Sequence, residues 1–195
     1  LRIGESDPPP QDTVHIHFDL TPSIHLHPSF FLPASDRMAA IGAWFLRNLS
    51  EAGKQIILSL GTSSPPVSLD PGHPDKGLEE LARLYPDTDL SFPSERSLLP
   101  GESLIPLPQT DFPAERPLLL FLFVGSPRTE TALGYASSEG ETVQVCFVHP
   151  TEGMEPRHAR SRKERRALNS SLQETEKEAA ELRLRIGGEG HVLLF

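Results

Sequence analysis

The chain holds one cysteine, Cys146, so no disulfide closes within its 195 residues. Such usage fits a reducing compartment, and a cytoplasmic location is expected. Cys146 sits in an apolar run and reads as a small core residue rather than a nucleophile. No apolar run reaches the roughly 18 residues of a membrane-spanning helix, so no membrane partner is expected. The opening residues, LRIGESDPPPQ, lack the charged and apolar regions of a signal peptide. They also lack an initiating Met, and the last residues read as a strand, so the native protein is expected to extend further. Positive charge is in deficit: 18 Lys and Arg stand against 27 Asp and Glu, a net charge of −9. That balance argues against a nucleic-acid binder using its whole surface. Neither a Walker loop nor a Gly-x-Ser-x-Gly elbow is present, so no nucleophile triad can be read and an enzymatic reading is disfavoured.

Proline is plentiful, at 20 residues, and the apolar share of 37% is below the globular norm. A core is therefore expected to coexist with long irregular connections. Residues 1–13 read as a flexible lead. Val14 to Leu20 alternates as a strand does, and Ile24 to Leu32 reads as a second strand or a loop packed on the core. A helix is expected from Asp36 to Ala52, capped by Ser35 or Asp36 and closed by Gly53. Met38, Ile41, Phe45 and Leu49 share one face of it. Gln55 to Leu60 reads as a buried strand, residues 61–73 as a Pro, Ser and Gly rich loop, and Pro74 to Leu84 as a short helix. Residues 85–116 form a long Pro-rich connection. An apolar strand at 117–124, a small-residue turn, a short helix and a strand at Val143 to Val148 follow. A helix is expected from about Arg160 to Ile186, with Leu168, Leu172, Thr175, Ala179, Leu182 and Ile186 as a narrow stripe. His191 to Phe195 is a final strand. The sum is an α/β fold, a partly parallel sheet with Rossmann-like βαβ passages at 14–60 and 117–195. The first α/β half spans 14–84 and the second 117–195, in one domain or two.

Two groups of residues point to chemistry. His15, His17, His25 and His27 would share a face if their segments formed a hairpin, a geometry suited to zinc. His25-Leu26-His27-Pro28, followed by Ser35 and Asp36, resembles the zinc site of JAMM-type metalloproteases. That resemblance implies His25, His27 and Asp36 as ligands. In this chain Ser35 and Asp36 are adjacent, and Glu5 is the only upstream Glu, so the spacing differs from that family's. This zinc-dependent reading is the alternative; the leading one needs no cofactor.

The second group is the pair of strand-end turns, Gly61-Thr62-Ser63-Ser64 and Gly125-Ser126-Pro127-Arg128-Thr129. Small residues let backbone N–H groups approach a ligand, and hydroxyls bond phosphate or ribose oxygens. Ser63, Ser126, Arg128 and Thr129 are the candidate ligand-binding residues, with Arg128 suited to a phosphate. Leu122, Phe123, Pro127, Ala132, Leu133, Gly134 and Tyr135, followed by VQVCFV, resemble the SAVED second-messenger sensors related to CARF domains. The resemblance covers about a third of the chain. It implies binding of a cyclic oligonucleotide made in antiviral signalling, without catalysis, and coupling to a separate effector domain or partner protein.

The run at 157–166 holds Arg157, Arg160, Arg162, Lys163, Arg165 and Arg166 against Glu164 alone. Cations at a helix start oppose its dipole, by up to about 1 kcal/mol each. Nucleic acid is expected as a partner through this run or not at all. A third reading makes the protein a structural subunit that docks a partner through its 160–186 helix.

Overall fold

The chain is described by a computed structural model over residues 13–61, 65–84, 117–138, 142–156, 159–186 and 190–195. It is mixed α/β. Strand β1 (Thr13–Phe18) leads through a 3-10 turn (Pro28–Phe30) into helix α1 (Phe31–Glu51) and strand β2 (Gln55–Leu60). Strand β3 (Val67–Leu69) and helix α2 (Asp75–Leu81) follow. The second passage is β4 (Leu118–Phe123), α3 (Thr129–Ser138), β5 (Val143–Val148), α4 (Arg162–Ile186) and β6 (Val192–Leu194).

The strands form one six-stranded sheet in the order β3-β2-β1-β4-β5-β6. Every pairing is parallel except β2 with β3. Parallel sheets are covered on both faces, so their strands are apolar throughout rather than alternating. β4, Leu-Leu-Leu-Phe-Leu-Phe, is such a strand, buried from its second residue onward. Its side chains divide by parity between two cores. Leu119, Phe121 and Phe123 join Ile16, Phe18, Met38 and Leu46 on the α1 side. Leu120 and Leu122 join Ala132, Phe147, Ala179 and Leu182 on the side of α3 and α4. The Phe18 and Phe121 rings stack at 4.6 Å between neighbouring strands.

Helix α1 starts at Phe31, five residues before the expected Asp36. Ser35 is not its cap but lies fully buried inside the helix, where its hydroxyl donates to the Phe31 carbonyl at 3.0 Å. The helix is entered instead from the 3-10 turn, where His27 Nδ1 accepts from the Ser29 N–H. Pro33 fits because a first-turn residue needs no N–H partner. At the other end Gly53, at φ +76°, takes the left-handed position after the cap, as its sequence place implied. Segment 24–32 forms no strand, so the hairpin that would gather four imidazoles is not made. β3 lies in the stretch expected to be loop; three residues after two prolines carry too little pattern to be seen. The stripe of α4 buries Leu168, Thr175, Ala179 and Leu182 against this chain's own sheet. Near the end of α4, Arg185 reaches Glu130 of α3. The expected lead and Pro-rich connection lie outside the described residues, except that Thr13 opens β1.

The strand order fixes where a site belongs. From β1 the chain steps through α1 to β2 on one side, and from β4 through α3 to β5 on the other. The order reverses between β1 and β4, and crevices in doubly wound sheets open at the carboxyl ends of such strands.

Two glycines give a test of the packing. A Cβ on Gly42 would sit 2.5 Å from Phe18 Cζ, whose ring is fully buried and stacked, whereas one on Gly134 meets nothing within 4 Å. Gly42→Ala is expected to lose about 1–3 kcal/mol through overpacking. Gly134→Ala should gain roughly 0.5–1 kcal/mol through helix propensity. Urea unfolding midpoints of the two variants should move in opposite directions.

Candidate functional site at the carboxyl ends of β1 and β4

Asp19 directly follows β1 and is 1% exposed. Its Oδ1 accepts from the Thr21 N–H at 2.9 Å, which turns the chain away from the sheet. Its Oδ2 accepts from Arg128 Nη1 at 3.0 Å. Arg128 is itself buried, so the two charges compensate each other across the β1–β4 boundary. A buried charge without a partner costs several kcal/mol, so each residue requires the other.

The turn after β4 is built around Gly125, at φ +75°. A Cβ there would fall 1.9 Å from Glu178 Oε2 and 2.5 Å from Ser23 Oγ, so glycine is required by space as well as by dihedral. Ser126 then organises the start of α3. Its hydroxyl accepts from the Arg128 N–H at 3.2 Å, and its carbonyl accepts from the Thr129 hydroxyl at 2.7 Å. Two of the four candidate ligand residues, Ser126 and Thr129, thus lie together at the rim of the turn. Arg128 is next to them in sequence but directs its guanidinium inward to Asp19. Ser63 lies outside the described residues.

Helix α4 closes the crevice from above. Glu178 meets Ser23 Oγ at 3.4 Å and His25 Nε2 at 3.3 Å. Burial raises its carboxyl above the usual range, against the opposing pull of His25 and Ser23. Ser171 donates to the His25 carbonyl at 2.6 Å and accepts from the His27 N–H at 2.9 Å, tying the loop after β1 to the helix. At the end of β5, His149 Nδ1 faces the Thr151 N–H, leaving Nε2 to donate to Glu176 at 3.0 Å.

Between these parts lies a pocket of about 210 Å³. Gly125, Ser126 and Thr129 line one side, and Glu178, Glu181 and Arg185 the other. Arg185 forms a forked pair with Glu130 at 2.6 and 2.8 Å, which holds its guanidinium in place and lowers the Glu130 carboxyl. The lining therefore combines hydroxyls, carboxylates and one oriented guanidinium.

The zinc candidates are placed differently. His25 faces Glu178, His27 caps the 3-10 turn, and Asp36 is exposed on α1. Among the described residues, no group of three or more His, Cys, Asp or Glu side chains is gathered to hold a metal. His15 and His17 are buried on β1. Burial pushes His17 down to about 4, with Asp19 opposing the shift and Arg128 adding to it. Cys146 is fully buried, and desolvation pushes its thiol up to about 12, as befits a core residue. Sequence reasoning missed Asp19, His149, Glu176 and Glu178. A polar residue directly after an apolar strand marks the first two, but nothing local in α4 marks the glutamates.

Set beside known proteins, the chain matches no family model and no curated protein.

Two expectations follow. Asp19→Ala and Arg128→Ala should each cost about 3–5 kcal/mol, and the double variant clearly less than their sum. Additive losses in urea unfolding would contradict the buried pair. For pH, His17 binds its proton more weakly when folded than unfolded, so it lowers stability as pH falls from 6.5 to about 4. The slope is up to about 1.4 kcal/mol per pH unit. Below pH 6.5, His17→Gln should show a shallower decline than the wild type in melts at stepped pH.

Proposed function

We propose that this chain is a ligand-sensing α/β domain that binds a nucleotide, of the cyclic oligonucleotide class used in antiviral signalling, and performs no catalysis itself. The observation that carries this reading is the pocket at the switch between β1 and β4, lined by donors and acceptors together. A nucleotide presents both a phosphate and neutral donors. Arg185 and the hydroxyls of Ser126 and Thr129 suit the phosphate. Glu178 and Glu181 suit ribose hydroxyls or an exocyclic amine, which a carboxylate accepts from. Arg128 serves as a positioning residue, holding the turn through Asp19. Ser63, which follows β2 in sequence, belongs to the same reading. At about 210 Å³ the pocket is smaller than those enclosing a whole drug-sized ligand, and suits one nucleotide unit of a larger ring. Signalling would then pass to an effector domain or partner protein.

Thermal melts with cyclic di-, tri- and tetranucleotides test the proposal. A ligand at a hundredfold excess over its Kd adds about 2.7 kcal/mol, a rise of roughly 5–10 °C at this size. Arg185→Ala should leave the unliganded melting temperature within a few degrees, since exposed pairs contribute about 0–1 kcal/mol, yet remove the ligand shift. A flat response of the wild type across the panel would sink the reading.

A further inference from the structure

Arg160, Arg162, Lys163, Arg165 and Arg166 cluster where α4 begins. None of the five is ion-paired among the described residues, whereas Arg37, Arg83, Arg128, Arg183 and Arg185 all meet carboxylates. The one carboxylate within the run is engaged elsewhere. Glu164 accepts from the Arg160 N–H at 2.6 Å, while its own N–H donates to Ser161 Oγ at 3.1 Å. Ser161 thus caps the helix as in a capping box, while Glu164 reaches one residue further back, and together they secure a helix start that the cations weaken. The guanidinium groups are left facing solvent.

Arg162, Arg165, Arg166 and Asn169 recur at three- and four-residue steps and so share one face of α4. With Arg160 and Ser161 they line an open groove of about 610 Å³. The groove is a concentrated positive site on a chain of net charge −9.

We infer that this groove binds a nucleic-acid strand through its sugar–phosphate backbone, without reading sequence. Guanidinium groups match phosphate oxygens in a forked geometry. From residue 162 to 169 the helix rises about 10 Å, room for two or three phosphates of one duplex strand. Among the described residues, the lining has no aromatic side chain on which a base would stack, so contact stays with the backbone. A membrane surface would require exposed apolar side chains beside the cations. Among the described residues, the exposed large apolar side chains, Ile24, Leu32, Trp44, Tyr135 and Leu184, lie outside the groove. A protein interface would likewise want an apolar or aromatic centre, and Ala159 is the sole apolar residue in the lining. The inference is independent of the nucleotide pocket, which uses residues near the far end of α4.

Fluorescence polarisation with a labelled 20-nucleotide single-stranded DNA tests it. Three phosphate contacts on a single strand predict a slope of log K against log salt of about −2. Affinity should then fall roughly 20-fold between 50 and 200 mM NaCl. Arg162→Ala/Arg165→Ala/Arg166→Ala should weaken binding at least tenfold and flatten that slope, while Arg47→Ala on α1 should change neither. The triple variant removes exposed cations from a helix start, so it should melt no lower than the wild type and report binding rather than folding. No polarisation change at 50 mM NaCl would overturn the inference. So would wild-type affinity in the triple variant, or binding to phosphatidylserine vesicles without binding to DNA.

Discussion

The ion pair between Asp19 and Arg128 is the contact on which the arrangement of the site depends. It joins the end of the first strand to the turn after the fourth, residues more than a hundred positions apart that the sheet brings side by side. Both partners are buried, and a low-dielectric setting makes a lone charge there prohibitive. The pair thereby commits both turns to one geometry. Through Thr21 it sets the direction in which the chain leaves β1, and through the Arg128 backbone it fixes Ser126 at the start of α3. His17 lies beside this pair, and its own burial keeps it from holding a proton despite the nearby Asp19 carboxylate.

Around that pair, α4 works as a frame with two unlike ends. Its middle supplies Ser171, Thr175, Glu176 and Glu178, polar groups facing the loops that leave β1 and β5. Besides burying its apolar stripe, the helix is tied to the loop after β1 by specific bonds. Thr175 donates to the Ser171 carbonyl, and Ser171 in turn holds the loop at His25 and His27. The helix is thus located along its axis as well as pressed against the sheet. Its C-terminal turns carry Arg183 and Arg185, cations that suit the negative end of the dipole, whereas its start carries cations that do not.

Much of the architecture was legible in the residues, because buried parallel strands announce themselves as short apolar runs. Gln55–Leu60 and Val143–Val148 have the limits their sequences imply, and the long helix ends where its stripe ends. The start of α1 was not legible. Ser35 and Asp36 are good caps by residue type, but burial of Ala34 and Phe30 against the core extended the helix backward past them. The turn at 125–129 was visible as a candidate site, yet its chemistry was not. Whether an arginine reaches outward to a ligand or inward to a carboxylate depends on a partner distant in sequence. Asp19 is one such partner, and the glutamates of α4 are others: each looks like ordinary surface charge until the helix is laid over the crevice. The four histidines misled for the same reason, since a shared spacing of two says nothing about whether their segments pair.

Among the described residues, the sheet is bounded by strands of three residues, β3 and β6. A margin that short offers few unpaired N–H and C=O groups in a row, and it is framed on one side by Pro65 and Pro66. Strand addition from another molecule needs a longer template than that. The strands between them are the opposite: six residues each, uninterrupted, and flanked on both sides. Among the described residues, the longest runs of strand backbone are therefore held in the interior of the sheet, between two short margins.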